Sequence, residues 1–480
     1  MDKSAAEIYR SLPQVSAYLD SEVGRALSDE FGQGVTKLEL RRLLEELRQE
    51  IKNGRRSSPV DPAELQGTLR TRIIRLCRPE GRAAINATGV VLHTGLGRSP
   101  LSRTAREAMQ FEGYSIVQLD LETGGRSVRE HHIEAMLREL TGCEAATIVN
   151  NNAAATFLVL NELGAGREMI ISRGQLIEIG GSFRMPVVME QSGTVLREVG
   201  TTNRTHLKDY EAALSERTAA ILHVHPSNYA IRGFSSTPSI AELVELGAAH
   251  NVPVIADLGS GAIVGLSEFG LKDVTTIAEA LRVGALVTCS SGDKLICGPQ
   301  AGLLCGSKDV IERLRKNPFA RMFRVDKCTL AAMEATLAAY VNGTYREEIP
   351  LYRMLSHSVE DLETRAQALV DAMKEFPAVA ARVETVGTFV GGGSLPDESV
   401  PSRALRLALC PTSAQASSTA SDSIRRFAQD FSHRLRVSFP SVICRVSDDA
   451  CYFDLRTVFP EEDHQLLQVL RRVLSAEGFR

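Results

Sequence analysis

No Cys-x-x-Cys pair occurs among the nine cysteines of this 480-residue chain. An odd number of thiols scattered through apolar runs excludes a zinc ribbon and a closed disulfide framework, and it reads as free cysteines in a reducing compartment. Long apolar runs are missing as well. No segment reaches the roughly 20 residues a membrane-spanning helix needs, and the opening Met1-Asp2-Lys3-Ser4-Ala5-Ala6-Glu7 carries no apolar signal region. A cytoplasmic protein is expected. Excess charge of one sign is also lacking: 55 Lys and Arg against 59 Asp and Glu leave a net charge of −4. Any contact with nucleic acid therefore has to come from a local basic surface. The turns Gly95-Leu96-Gly97 and Gly259-Ser260-Gly261 both miss the G-x-G-x-x-G spacing, which argues against a dehydrogenase. No solenoid-type period is present.

What the chain does have is 44% hydrophobic residues, enough for a sizeable core, at a length that implies more than one domain. Residues 1–75 read as a charged helical domain. Its best helix spans 36–52, where Leu40, Leu43, Leu44, Leu47 and Ile51 make one apolar stripe, with Thr36 as N-cap and Asn53-Gly54 as the stop. Arg41, Arg48, Lys52 and Arg55 fall near another face, balanced by Glu45, Glu46 and Glu50. Residues 76–345 alternate short apolar runs with amphipathic ones. Strands are expected at 146–149, 169–171, 219–224, 254–256, 285–288 and 302–305, joined by helices into an α/β domain around a mostly parallel sheet. From 346 to 480 the pattern becomes a smaller α+β domain, with a long helix over 351–376, a strand at 451–455 and a terminal helix over 461–474. The small, polar stretch 411–421 reads as a mobile surface loop.

Chemistry concentrates at strand ends, where open α/β sheets gather their ligands. Lys294 closes Ser290-Ser291-Gly292-Asp293-Lys294 after an apolar strand and suits a Schiff base with an aldehyde cofactor. Asp257, in Val254-Ile255-Ala256-Asp257-Leu258-Gly259, suits the protonated ring nitrogen of pyridoxal phosphate. Asn150-Asn151-Asn152-Ala153-Ala154-Ala155 opens a helix after a strand, as a phosphate cup does, although an Asn N-cap on an Ala-rich helix has the same appearance. His223 and His225 share one strand face and suit a cofactor-pocket or core role better than a metal. Ser227 and Asn228 follow at that strand's end, where they could contact cofactor or substrate. Arg98, Arg126, Arg129, Arg321 and Arg324 sit on glycine-rich turns or in stretches short of acidic partners, which suits a second anion.

Several longer motifs match a family. Asn86-Ala87-Thr88-Gly89, His93-Thr94-Gly95-Leu96-Gly97-Arg98, the run from Arg173 to Arg184, Glu198-Val199-Gly200-Thr201-Thr202-Asn203, Ser291-Gly292-Asp293-Lys294 and Gly298-Pro299-Gln300-Ala301-Gly302 resemble bacterial selenocysteine synthase, the L-seryl-tRNA(Sec) selenium transferase. The resemblance extends from the N-terminal helices to Phe453-Asp454-Leu455-Arg456-Thr457-Val458, with 411–423 standing outside it as an insertion. It implies the type I pyridoxal-phosphate fold, a homo-oligomer built from dimers into a ring-shaped decamer, seryl-tRNA(Sec) as acceptor and selenophosphate as donor. By the same resemblance Lys294 holds the cofactor as an internal aldimine, Asp257 protonates its ring, and a dehydroalanyl-tRNA is formed on the way to selenocysteyl-tRNA. Asn151, Asn152, Ala153, Ala154, Gln175, Ser227, Asn228 and Ser291 would contact the cofactor. Arg98, Arg321 and Arg324, with either Arg126 or Arg129, would line the selenophosphate pocket, and Arg41, Arg48 and Lys52 would face the tRNA. Two rivals stay open: a lyase of the same superfamily acting on a free amino or sugar acid, and a catalytically silent tRNA-binding scaffold.

Overall fold

The computed structural model describes residues 3–77, 83–226, 229, 231, 233–272, 274–391, 394–410 and 418–476. The chain divides into two compact units, 1–83 and 84–480.

The first unit contains the helices Lys3–Arg10, Val15–Asp20, Glu22–Phe31, Gln33–Lys52 and Pro62–Cys77. The expected stripe is its core: Leu40, Leu43, Leu44 and Leu47 pack with Leu27, Leu65, Leu69 and Ile73. The long helix begins three residues earlier than its sequence suggests. Gly32, at φ 96°, turns the chain and takes the N-cap position. Thr36 is an interior residue instead, wholly buried, and its hydroxyl donates to the carbonyls of Gly32 (3.0 Å) and Leu27 (3.3 Å). Threonine tolerates this place because its side chain can return a hydrogen bond to the preceding turn.

The second unit is organised by a seven-stranded sheet in the order Ala145–Val149, Gly302–Gly306, Val287–Ser291, Val254–Gly259, Thr218–Val224, Glu168–Ser172, Val195–Val199. Gly302–Gly306 runs antiparallel to both of its neighbours, and the remaining pairs are parallel. Alternate residues of one strand enter different apolar clusters: Leu303 and Cys305 join one, Leu304 the other. A sheet covered on both faces in this way reads as short uninterrupted apolar runs, the signal seen in the sequence. Two differences from the expected strands matter. Val195–Val199 is a further strand at the sheet's edge, largely exposed and so without an apolar signature. The strand expected at 285–288 lies at Val287–Ser291, which places Ser290 and Ser291 in the sheet itself.

A second sheet, ordered Ala84–Ala87, Ser441–Ser447, Ala450–Asp454, Leu395–Leu409, Val379–Gly391, packs on helices Val359–Met373 and Asp463–Ala476 through Leu405, Leu407, Phe453, Leu362, Leu369 and Leu470. The long helix expected over 351–376 is two, Pro350–Ser356 and Val359–Met373, because the Ser358 hydroxyl caps the second by accepting from Asp361 N. The 411–421 stretch is also divided: residues 411–417 lie outside the described ones, and a helix Ser418–Val437 starts directly after them. Among the described residues no helix is long and apolar enough to cross a membrane.

Two of the family-like motifs meet in a buried polar knot. Asp454 accepts from the hydroxyls of Thr388 (2.7 Å) and Ser402 (2.6 Å) and from Arg456 N (3.0 Å). Gly89 lies against it so closely that a Cβ would come within 2.4 Å of Asp454 Oδ2, and its φ of +74° disfavours any other residue. The Arg456 guanidinium, almost wholly buried, donates to the carbonyls of Met354, Leu355, His357 and Pro401 at 2.6–3.2 Å. It thereby joins helix Pro350–Ser356 to the second sheet. Arg456→Met should leave those carbonyls without a donor and destabilise the chain by about 3 kcal/mol. A lowered urea midpoint at unchanged slope is the expected measurement, and an unaltered midpoint would show that the knot contributes nothing.

Candidate active site

Asp257 and Lys294 occupy neighbouring parallel strands and the turn that follows. Asp257 pairs in register with Cys289 of Val287–Ser291, and Lys294 lies three residues beyond that strand. Both are nearly buried, at 4% and 6% exposure. The Asp257 carboxylate accepts from Asn152 Nδ2 (2.9 Å) and Gly259 N (3.0 Å) on one oxygen and from Thr156 Oγ1 (2.7 Å) on the other. All three donors are neutral, and among the described residues no cation pairs with it. Burial raises its pKa, while these donors and Lys294 oppose the rise. Lys294 is shifted downward, first by burial and then by Arg98, against the pull of Asp257 and Asp293. A lysine so placed holds a larger share of neutral, nucleophilic amine than an exposed one.

The helix Asn152–Gly164 brings its first turn to this site. Asn151 is its N-cap, with Oδ1 accepting from Ala154 N at 2.8 Å, so the structure shows the cap reading of these residues. Asn152 and Thr156, one turn apart, both point at Asp257. Gly302 admits the helix start, since a Cβ there would come within 2.2 Å of Asn151 O. Gln175, buried at the end of the Arg173–Gln175 turn, accepts from Val224 N (3.2 Å) and is thereby held against the adjacent strand. His225 N donates to Asp257 O at 2.9 Å. The His225 ring is pushed down by burial, with Asp257 opposing and Lys294 adding to the shift. Behind it, burial and His225 lower His223 to about 4. In both rings the shift favours the neutral imidazole. Ser291 ends its strand in the buried layer, and Ser227 and Asn228 lie outside the described residues.

The segments flanking Asp257 carry buried polar atoms with no protein partner: Asn152 Oδ1, His223 Nδ1, His225 Nδ1 and Ser290 Oγ. Unmet atoms of this kind are rare in a finished interior and mark a place where a polar ligand belongs. Pyridoxal phosphate fits. Its protonated ring nitrogen would supply the cation that Asp257 lacks, its aldehyde would meet a buried lysine, and its phosphate would suit the small residues at a helix start.

The arginines divide into two places. Arg98 stands by the lysine turn, at φ 64°, with its guanidinium on Asp293 Oδ2 at 2.6 Å. Arg129, Arg321 and Arg324 instead line a cavity of about 870 Å³ together with Gln118, Asn317 and Arg315. Arg315 is occupied by Glu134 (2.7 Å) and the Ala146 carbonyl (2.6 Å). Among the described residues none of the other three arginines pairs with a carboxylate at contact distance. Burial and the like charge of Arg324 weaken the hold of Arg129 on its proton, the electrostatics of a site that favours an anion. Arg126 is exposed on the turn outside that lining, at 3.5 Å from Gln118 Oε1. In the N-terminal unit Arg41, Arg48 and Lys52 are all exposed on one helix, with Arg48 at 3.3 Å from Glu45. Sequence reasoning missed Thr156 and the Arg98–Asp293 pair. The first was findable as the i+4 neighbour of Asn152, whereas the second joins residues 195 positions apart and has no local signal.

Comparison with known proteins gives the family and the fold. The profile of the family SelA, L-seryl-tRNA selenium transferase, matches residues 84–459. The L-seryl-tRNA(Sec) selenium transferase of Aquifex aeolicus (strain VF5) is 39% identical over 474 residues, covering 98% of this chain and 99% of that one. The protein of the same name from Moorella thermoacetica is 43% identical over 473 residues, covering 98% and 97%. Among solved structures, the one titled "Structure of D-Glucosaminate-6-phosphate Ammonia-lyase" shares the fold at a TM-score of 0.57 and 18% identity, over 82% of this chain and 96% of that chain. The architecture is the type I pyridoxal-phosphate fold, and the chain belongs to the L-seryl-tRNA(Sec) selenium transferase family.

Proposed function

We propose that selenium transfer to L-seryl-tRNA(Sec) takes place at the Asp257–Lys294 site, with selenophosphate as donor. The conversion of seryl-tRNA(Sec) to selenocysteyl-tRNA(Sec) follows from family membership. The assignment of residues rests on one observation above the others: a buried carboxylate held only by neutral hydrogen-bond donors and a buried lysine lie on neighbouring strands and the turn that follows. When bound, pyridoxal phosphate supplies an electron sink that lets the seryl hydroxyl depart. Asp257 holds a proton at the ring nitrogen. The Lys294 amine would hold the cofactor at its carbonyl carbon, and the same amine is the base placed to take the seryl Cα proton. Asn151, Asn152, Ala153 and Ala154 cradle the phosphate with the first turn of their helix, and Gln175 and Ser291 bound the ring. Ser227 and Asn228 keep their sequence-based assignment to cofactor or substrate contact.

Selenophosphate, a small anion, suits the cavity of Arg129, Arg321 and Arg324 by its charge. This favours Arg129 over Arg126 as the pocket's further arginine. Arg98, held by Asp293 next to Lys294, would meet the donor on the lysine side. The exposed Arg41, Arg48 and Lys52 give the N-terminal unit the local basic surface that the chain's overall charge lacks, and we assign tRNA contact to them. A ring-shaped decamer built from dimers, in the cytoplasm, completes this reading. The free-acid lyase remains the nearest rival, and the helical unit of residues 1–83 weighs against it because a small free substrate gives that unit no role.

Purified protein supplied with seryl-tRNA(Sec) and selenophosphate should form selenocysteyl-tRNA, whereas free serine should not react; equal turnover of free serine would end the tRNA reading. Arg321→Ala and Arg324→Ala should each raise KM for selenophosphate by about 10- to 100-fold, the cost of one charge-assisted contact, at unchanged KM for tRNA. The triple change Arg41→Gln, Arg48→Gln, Lys52→Gln should weaken tRNA binding and reduce the salt slope of its log Kd by about 2 to 3. An unaltered slope would place the tRNA elsewhere.

A further inference from the structure

The turn that carries Lys294 belongs to neither of its flanking strands, yet its main chain is held at each carbonyl from Gly292 to Ile296. Lys294 O accepts from Cys297 N (3.0 Å) and from Ser99 Oγ (2.7 Å). Asp293 O accepts from Ser99 N at 3.4 Å. Leu295 O and Ile296 O accept from the Tyr340 hydroxyl at 3.3 and 3.0 Å. Leu295 N donates to Ser260 O (3.2 Å), which ties the turn to the strand that bears Asp257. Two residues here pay a backbone cost: Arg98 at φ 64° and Cys297 at φ 59° both stand in the left-handed region that non-glycine residues rarely enter. Strain of this kind persists only where the surroundings over-determine it. Ser99 is the point at which the two strained segments meet. It follows Arg98, its hydroxyl shares the Lys294 carbonyl with Cys297 N, and it is 8% exposed.

We infer that Ser99 is a positioning residue for the selenium transfer reaction, holding the peptide of Lys294 so that the amine stays within reach of the cofactor's carbonyl carbon. The inference rests on Lys294 being the lysine that carries the cofactor. Its physical basis is effective concentration. The lysine side chain has four rotatable carbons, so the place of its nitrogen is set by how firmly its Cα is held, and Ser99 Oγ is the side-chain group that bonds to the Lys294 peptide itself. Release of that bond leaves Lys294 chemically intact but less able to recapture the cofactor after each turnover. Tyr340 anchors the two residues that follow and not Lys294, so it governs the course of the turn more than the place of the amine.

The test uses the full-length holoenzyme and hydroxylamine, whose nitrogen forms a C=N bond to the cofactor's carbonyl carbon and gives up its two hydrogens while the Lys294 nitrogen leaves with both as the free amine. In Ser99→Ala the visible band of the bound cofactor should be lost to hydroxylamine about tenfold faster than in the wild type, and kcat should fall about tenfold at unchanged KM for tRNA. Ser99→Cys, which keeps the volume but offers only a weak S–H donor, should lie between the two. It carries the same test if the alanine variant does not fold. A role limited to stability would lower Tm and leave both the hydroxylamine rate and kcat where they are, and that result overturns the inference. A visible band that survives Lys294→Ala would instead overturn the assignment of the lysine, which separates the two failures.

Discussion

A carboxylate shut away from water beside only neutral donors is the constraint around which the large unit is built. Burying Asp257 without a cation is costly, and three hydrogen bonds from Asn152, Thr156 and Gly259 offset part of that cost without supplying charge. Each donor then fixes an element: the helix that starts at Asn152, and the turn at Gly259 that leads to Ser260 and so to the lysine turn. A protonated ring nitrogen seated at that carboxylate would supply the missing charge, and the site would then be more stable filled than empty.

The parts of this arrangement that depend on near neighbours were legible in the sequence. Strand-end placement of Asp257 and Lys294, the Asn151 cap and the Leu40 to Ile51 stripe all follow from local spacing and burial on one face or both. Elements with little apolar content were not. Val195–Val199 pairs along one side of Glu168–Ser172 and shows most of its side chains to solvent, so it has neither alternation nor an apolar run. The break at His357-Ser358 was hidden because apolar residues continue across it in helical spacing. Thr36 looked like a cap because threonine favours that place, but Gly32 supplied the turn first.

Long-range polar pairs were the least legible. Arg98 and Asp293, Gly89 and Asp454, and Ser99 and Lys294 are each brought together by the fold across 195 residues or more. They explain why motifs that look catalytic in sequence divide in space. Asn86 to Gly89 and Phe453 to Val458 build a structural knot around Asp454 and Arg456, whereas His93 to Arg98 leads into the clamp on the lysine turn. Arg129, Arg321 and Arg324 gather in a cavity of their own.

The claim on which the rest depends is that Asp257 keeps the cofactor's ring nitrogen protonated. Nitrogen-15 NMR of the holoenzyme, reconstituted with cofactor labelled at that ring nitrogen, measures this directly. A pyridinium shift that persists to high pH in the wild type and becomes that of a neutral pyridine in Asp257→Asn is the expected result. A neutral ring nitrogen in the wild type at pH 7 would contradict the account.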